Sequence, residues 1–336
     1  MKFGSWNELV SQSYIKMSKF DQGLKLNFLC MNYILSHKGL IPGKTSLLLN
    51  GFCLIVLFLF LALPSNGQFP LKVMTFNIRY NNPADSIYNW DHRKDMVYEV
   101  FLKYKPDLAG LQEVLYTQLT GLRDTLKEYS SFGVGRDDGN KAGEFAPIFY
   151  KTSRFSKVDG AYFWLSKTPD LPGSKSWHAA CTRIVTWLML RDRQSGQLFF
   201  IFNTHFDHAS EEARVESARL LRKKIDEIIS GRPVIVCGDF NSTASDSAYR
   251  LLTQKSVPGF LTDTRVSLPD SVKQPSYSFI GFPFHPEEGN LIDFIFTRNA
   301  QAWNVKTQLI ITDNRNGLYP SDHLPVITEF LVKGLK

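Results

Sequence analysis

Sulfur is scarce in this chain. Its 336 residues hold four cysteines, Cys30, Cys53, Cys181 and Cys237, and no Cys-x-x-Cys pair. That excludes a structural zinc site of the usual thiolate kind. It leaves one disulfide open for an exported chain, Cys181 to Cys237, beside the simpler reading of Cys237 as a small buried hydrophobe in Val234-Ile235-Val236-Cys237. Internal repeats, low-complexity tracts and Gly/Ser linkers are also missing, which excludes solenoids and beaded domains. Excess charge of one sign is small once the chain is divided. Residues 1–67 hold six Lys and two acidic residues, so they supply +4 of the net +7, and the other 269 residues carry +3. The body therefore lacks the electrostatic footprint of an obligate nucleic-acid binder.

One long apolar run is present. Lys38 and Lys44 precede 47–63, interrupted only by Asn50 and Gly51, and Pro64-Ser65-Asn66-Gly67 ends it. A basic flank, an apolar core and small residues at the break mark an export signal over 45–67. At about 17 residues the run is at the short limit for a membrane span, so a retained anchor through 47–63 is the alternative. The expected location is outside the cytoplasm, periplasmic or secreted, or membrane-anchored with the rest of the chain outside. Residues 1–44 form an upstream extension of mixed character.

From Leu71 onward strand and helix patterns alternate. Strands are expected at Leu71–Phe76, Leu108–Leu111, Pro147–Lys151, Ile184–Arg191, Leu198–Asn203, Val234–Cys237, Leu291–Thr297, Val305–Thr312 and Val326–Val332. Helices are expected at Arg93–Tyr104, Leu115–Tyr129 and Ser210–Ser230, the last capped by Ser210 and stopped by Gly231-Arg232-Pro233. One α/β domain over about 69–334 is the economical reading.

The chemistry sits in short polar words at strand ends: Phe76-Asn77-Ile78-Arg79, Gln112-Glu113, Asn203-Thr204-His205, Gly238-Asp239-Phe240-Asn241, Ile292-Asp293-Phe294 and Ser321-Asp322-His323. A lone carboxylate there is usually a turn former. Several at equivalent places are different, because grouped acids need a cation to neutralise them. Glu113 and Asp322 are the expected direct metal contacts. Asp239 and Asn241 lie two apart, so on an extended strand they face one side. His205 and His323 can clamp and protonate a phosphoryl group. His205-x-x-His208 also has the spacing of a zinc pair, but the surrounding acids favour a hard cation.

Together, in this order over 71–330, these words resemble the endonuclease/exonuclease/phosphatase superfamily, which includes DNase I, sphingomyelinases and inositol-polyphosphate 5-phosphatases. The resemblance implies a four-layer α/β sandwich, two mixed β-sheets packed face to face and flanked by helices. It implies a monomeric phosphoric ester hydrolase using Mg²⁺ or Mn²⁺, with no obligate protein partner. Asn77, Glu113 and Asp322 would serve the metal. Asp239 would activate the attacking water, and Asn241 would hold a phosphate oxygen. His205 and His323 would contact the scissile phosphate, with Asp293 orienting His323. Arg79, where apurinic endonucleases carry an acid, either contacts substrate phosphate or pairs with an acid. The words Asn89-Trp90-Asp91-His92-Arg93 and Gly143-Glu144-Phe145-Ala146-Pro147 resemble exported bacterial members. They make Glu144, Trp177, Arg183 and, from the histidine pair, His208 candidate substrate contacts, with Trp90 either stacking on substrate or packing in the core. The expected substrate is a phosphorylated small molecule first, a nucleic acid second and a lipid head group third. Gly281-Phe282-Pro283-Phe284 is the candidate lipid-facing loop. A catalytically silent binding protein on the same fold is the reading from another class.

Overall fold

The computed structural model describes residues 67–269 and 275–335. The export signal or anchor expected over 45–67 and the extension 1–44 lie outside them, apart from Gly67. Among the described residues no helix is long and apolar enough to cross a membrane.

Two six-stranded mixed sheets form the body. The first runs in the order β11-β12-β1-β2-β4-β3 and the second β5-β6-β7-β8-β10-β9. In the first, β1 (Gln68–Asn77) lies parallel to β2 (Leu108–Gln112) and antiparallel to β12 (Val326–Lys333). Beyond these lie β11 (Trp303–Ile310), β4 (Ile148–Lys151) and β3 (Tyr129–Phe132). In the second, β7 (Leu198–His205) lies parallel to β8 (Val234–Asp239), which pairs antiparallel with β10 (Asp293–Arg298). Flanking them are β5 (Phe155–Trp164), β6 (Ile184–Asp192) and the short β9 (Thr262–Asp263).

The two-residue strand period decides the layering. Leu71 and Val73 of β1 and Ile235 and Cys237 of β8 point inward and meet in one core between the sheets. Their neighbours Met74 and Phe76 point outward onto α1 (Trp90–Tyr104) and α2 (Tyr116–Thr125). Val234 and Val236 point outward onto α3 (Glu211–Ile228) and α4 (Ser247–Thr253). Strands buried on both faces read as unbroken apolar runs, which is why Val234–Cys237 showed no alternation. The result is the expected α/β/β/α sandwich.

The helix ends follow local chemistry. The Asn89 side chain accepts from the Asp91 backbone N–H to start α1, and Lys105 in the left-handed region (φ 49°) ends it before Pro106. Ser210 caps α3 by accepting from Ala213. Three readings change. The expected helix Leu115–Tyr129 stops at Thr125, because Tyr129 belongs to β3, where its hydroxyl donates to the Pro106 carbonyl at 2.6 Å and its ring packs on Phe101. Strand β5 was not expected; its middle, Lys157–Asp159, is exposed and broken by a register shift, which erases the alternation. Cys181 and Cys237 are both free thiols, Cys237 within the inter-sheet core and Cys181 beside a cleft, so the open disulfide is not formed.

Just below one end of the sandwich the sheets are tied by polar groups. Gln112 Nε2 donates to Asn203 Oδ1 at 2.6 Å, and Asn203 Nδ2 donates to the carbonyls of Leu111 and Pro147 at 2.8 and 2.9 Å. Gly110 makes this approach possible, since a Cβ there would lie 2.6 Å from both Asn203 Oδ1 and Cys237 Sγ.

Candidate active site

The parallel strands β1, β2, β7 and β8 end at the edge where antiparallel β10 and β12 begin. Asn77, Glu113, His205, Asp239, Asp293 and His323 are thereby brought to one rim. Arg79, Glu113 and Asn241 have φ of 56°, 58° and 46°, so the chain turns sharply as each strand ends. Left-handed backbone at non-glycine residues is costly and concentrates at functional sites. Asn241 therefore does not extend β8 beside Asp239. It turns back, and its N–H donates to Asp239 Oδ1 at 2.9 Å.

Asn77 lies at the centre. Its Nδ2 is 3.0 Å from Glu113 Oε1, 3.0 Å from Asp239 Oδ2 and 3.4 Å from His323 Nε2. His323 Nδ1 bonds Asp293 Oδ2 at 2.9 Å, and the Ser278 hydroxyl donates to that same oxygen at 2.6 Å. Across the site, His205 Nε2 lies 3.0 Å from Asn241 Nδ2 and 3.4 Å from Asp239 Oδ2. Asp239 thus stands between two imidazoles, with His323 Nε2 3.6 Å away.

Burial and charge set the protonation states. Burial pushes Asp239 up to about 7, against the pull of His323. Burial alone would lower the His323 pKa, but Asp293 and Asp239 outweigh it and raise it to about 10. Burial, with Arg183 and Arg136 nearby, holds His205 well below its ordinary value, so this ring is neutral. Burial raises Asp322 above the ordinary carboxylate range.

The donor set fits a divalent cation. Glu113, Asp322 and Asp239 offer hard oxygens, and the Arg79 guanidinium stays 3.9 and 3.8 Å from Glu113 and Asp322. Its fork is already bonded to Asp85 at 2.9 Å through Nε and Nη2, so Arg79 pairs with acids. Asp239, Asp293 and His323 also present ligand atoms within 4.8 Å of one another. In that group Asp293 Oδ2 is engaged by Ser278 and His323 while its Oδ1 has no partner among the described residues, and Glu113 accepts from Asn77 Nδ2 at 3.0 Å and from the Tyr80 N–H at 3.2 Å.

A cleft of about 740 Å³ opens over these groups, large enough for a sugar phosphate or a nucleotide. Arg79, Glu113, His205, Asp239, Asn241, Asp322 and His323 line one part, and Glu144, Arg183 and His208 line another. Arg136, which no motif flagged, lies there too and grips Glu144 through both terminal nitrogens at 2.6 and 2.8 Å. Arg183 Nη2 bonds His208 Nδ1 at 2.9 Å. His208 is therefore held by an arginine rather than paired with His205 for zinc.

Two expected substrate contacts are elsewhere. Trp177 lines a separate depression with Pro169 and Arg219 on the flank of α3, where its carbonyl accepts from Ser210. Trp90 is buried against Tyr98 and packs in the core. Phe282 stacks on Tyr88, and Phe284 packs on Tyr319, so the supposed lipid-facing loop is folded onto the body. Phe279, one turn earlier, does border the cleft and lies against His323.

Arg93, inside a word that was noted but given no role, is fully buried. It donates to the carbonyls of Tyr88, Ile78 and Pro320, tying the loop after Asn77 to the loop before Ser321. The signal was an arginine at an inward position of an otherwise apolar helix face.

Comparison with known proteins agrees with this architecture. The Endonuclease/Exonuclease/phosphatase family matches residues 74–323. The chain is similar to an endonuclease/exonuclease/phosphatase of Bacteroides vulgatus of known structure, 39% identical, covering 79% of this chain and 100% of that one with a TM-score of 0.72. It is similar to the mannosyl-6-phosphatase of Bacteroides thetaiotaomicron, 34% identical over 77% of this chain and 99% of that one, TM-score 0.69. It also matches the Ccr4 exoribonuclease subunit of the CCR4-Not complex of Mycosarcoma maydis, 24% identical over 79% of this chain but about half, 51%, of that protein's length.

Proposed function

This chain belongs to the endonuclease/exonuclease/phosphatase family, and on that premise we propose that it is a metal-dependent phosphatase acting on a phosphorylated, hydroxyl-bearing small molecule. The observation that carries the reading is the line Asp293–His323–Asp239–His205, meeting Asn77 and Glu113 at the floor of one cleft.

Glu113, with Asn77 and Asp322 beside it, would hold Mg²⁺ or Mn²⁺. The chemistry such a cation supplies when bound is charge stabilisation at the phosphoryl and leaving oxygens. Asp239 accepts the proton of the attacking water as its oxygen bonds phosphorus in line with the ester bond. That bond breaks, and His323 gives the leaving oxygen a proton. Asp293 holds the His323 ring by Nδ1, which turns Nε2 toward the reacting group. Asn241 and neutral His205 hold a non-bridging oxygen. Solvent then returns Asp239 and His323 to their starting states.

The similarity to a mannosyl-6-phosphatase over 99% of that chain supports a sugar phosphate. A second reading, an exoribonuclease, draws on the Ccr4 match, but the near-neutral body speaks against a long polyanion. We also propose that residues 45–67 direct export, or anchoring through 47–63. Fusing 1–67 to a periplasmic reporter tests this, and cytoplasmic retention of the reporter would dismiss it.

The deciding assay is hydrolysis of mannose 6-phosphate, p-nitrophenyl phosphate, bis-p-nitrophenyl phosphate and a short RNA, with Mg²⁺ and with chelator. Metal-dependent release of phosphate from the monoesters, lost in Asp239→Asn, is the expected result. Turnover of RNA alone would replace the phosphatase reading with the nuclease one.

A further inference from the structure

Behind the cleft, a small recess branches off beside His205. Arg136, Glu144, Ala146, Arg183, Ile184 and His205 line it, and it holds about 10 Å³ of room for the centre of a water molecule. That is about the space one water needs.

Three side chains of this wall carry buried polar atoms without a partner. Arg183 Nη1 and Nε, Arg136 Nε and His205 Nδ1 have no hydrogen-bond partner among the described residues, and Arg183 and His205 are 4% and 8% exposed. Buried polar groups almost always find a partner, so orphans on three side chains around one recess point to a shared ligand. The charges nearby are already matched. Glu144 takes the Arg136 fork, and Arg183 lies 3.6 Å from Asp207 Oδ2. A neutral ligand fits better than an anion. Water accepts from a guanidinium N–H and from an imidazole N–H and still donates to a carboxylate.

We propose that one ordered water occupies this recess and joins His205 Nδ1 to the Arg136–Glu144–Arg183 cluster. His205 is then held at both ring nitrogens, with Nε2 accepting from Asn241 Nδ2 and Nδ1–H donating to the water. Arg136, Glu144 and Arg183 act through that water as positioning residues. The ring they fix is the one that meets the phosphate, a step that rests on the phosphoesterase reading above.

Ala146 gives the test. Ala146→Val sends methyl groups into the recess and expels the water. Ala146→Ser puts a hydroxyl where the water's oxygen would be. With Val, kcat for p-nitrophenyl phosphate is expected to fall about tenfold or more while KM stays within about twofold. The melting temperature is expected to fall by about 4 °C. With Ser, kcat stays within about threefold of the native protein, and the melting temperature is kept. A high-resolution crystal structure of the native protein is expected to show the water. A rise in melting temperature with Val would mean a dry void, and would overturn the proposal. So would equal loss of kcat in both variants, or a map without the water. If the native protein hydrolyses nothing, the phosphoesterase reading falls, while melting and density still decide the water.

Discussion

Asp239 and His323 form a proton pair whose members are both raised, the acid to about 7 by burial and the imidazole to about 10 by its carboxylate neighbours Asp293 and Asp239. Each is expected to be needed. Asp239→Asn should lower kcat about 10²–10⁴-fold with KM little changed, read by steady-state phosphate release. Asp293→Asn should cost a comparable factor although it touches no substrate, because an amide nitrogen can face His323 Nδ1 and turn the ring. The raised His323 pKa also links to stability. A histidine whose folded pKa lies above its unfolded value stabilises fully below about pH 6.5 and loses that contribution as pH rises toward 10. Urea unfolding in chelator should therefore show stability falling from pH 6.5 to 9.5, and His323→Ala should flatten the slope. A slope unchanged in the variant would assign the pH dependence to other groups. Cys237 makes a separate prediction. Burial pushes its thiol up to about 12, whereas Cys181 borders the open cleft. A 68–336 polypeptide should present one reactive thiol when native and two in urea.

Among the elements, the ties between strand ends decide whether those residues meet. Arg93 satisfies the Ile78 and Pro320 carbonyls, which flank Asn77 and Ser321, and the carbonyl of Tyr88. Burial lowers its pKa to about 10, yet it stays charged at neutral pH. Arg93→Met keeps the volume but strands those carbonyls, and should cost about 2–4 kcal/mol in denaturant unfolding. The other tie is the sheet-to-sheet contact of Gln112 with Asn203 over Gly110. Gly110→Ala forces a methyl against Asn203 and Cys237, and should destabilise by about 1–3 kcal/mol through overpacking. Neither substitution touches the cleft, so the metal requirement of the residual activity should be unchanged.

Across the described residues two packed sheets carry the chemistry on one edge, and the response to metal removal tests that picture. Chelation should abolish turnover, and Mg²⁺ or Mn²⁺ should restore it; restoration by Zn²⁺ alone would favour the His205 and His208 reading instead. Much was written in the chain. Two-residue periodicity and unbroken apolar runs located the central strands, because burial on one or both faces leaves a local record. The polar words at their ends marked Asn77, Glu113, Asp239, Asn241, Asp293, Asp322 and His323 as one set, since acids and imidazoles closing apolar strands have little structural reason to be there. What the chain did not carry is whatever depends on partners far along it. Gln112 and Asn203 read as parts of motifs, but only the packed sheets turn them into a bridge. Trp177 had the composition of a substrate contact but lines a separate depression. Arg136 belonged to no motif and entered the cleft by gripping Glu144. The sequence by itself determined the layers and the inventory of reactive groups, because periodicity and side-chain chemistry are local. Which of those groups meet, which arginine each acid finds, and how far each pKa moves was decided by the tertiary structure alone, because distance and burial are properties of the folded chain.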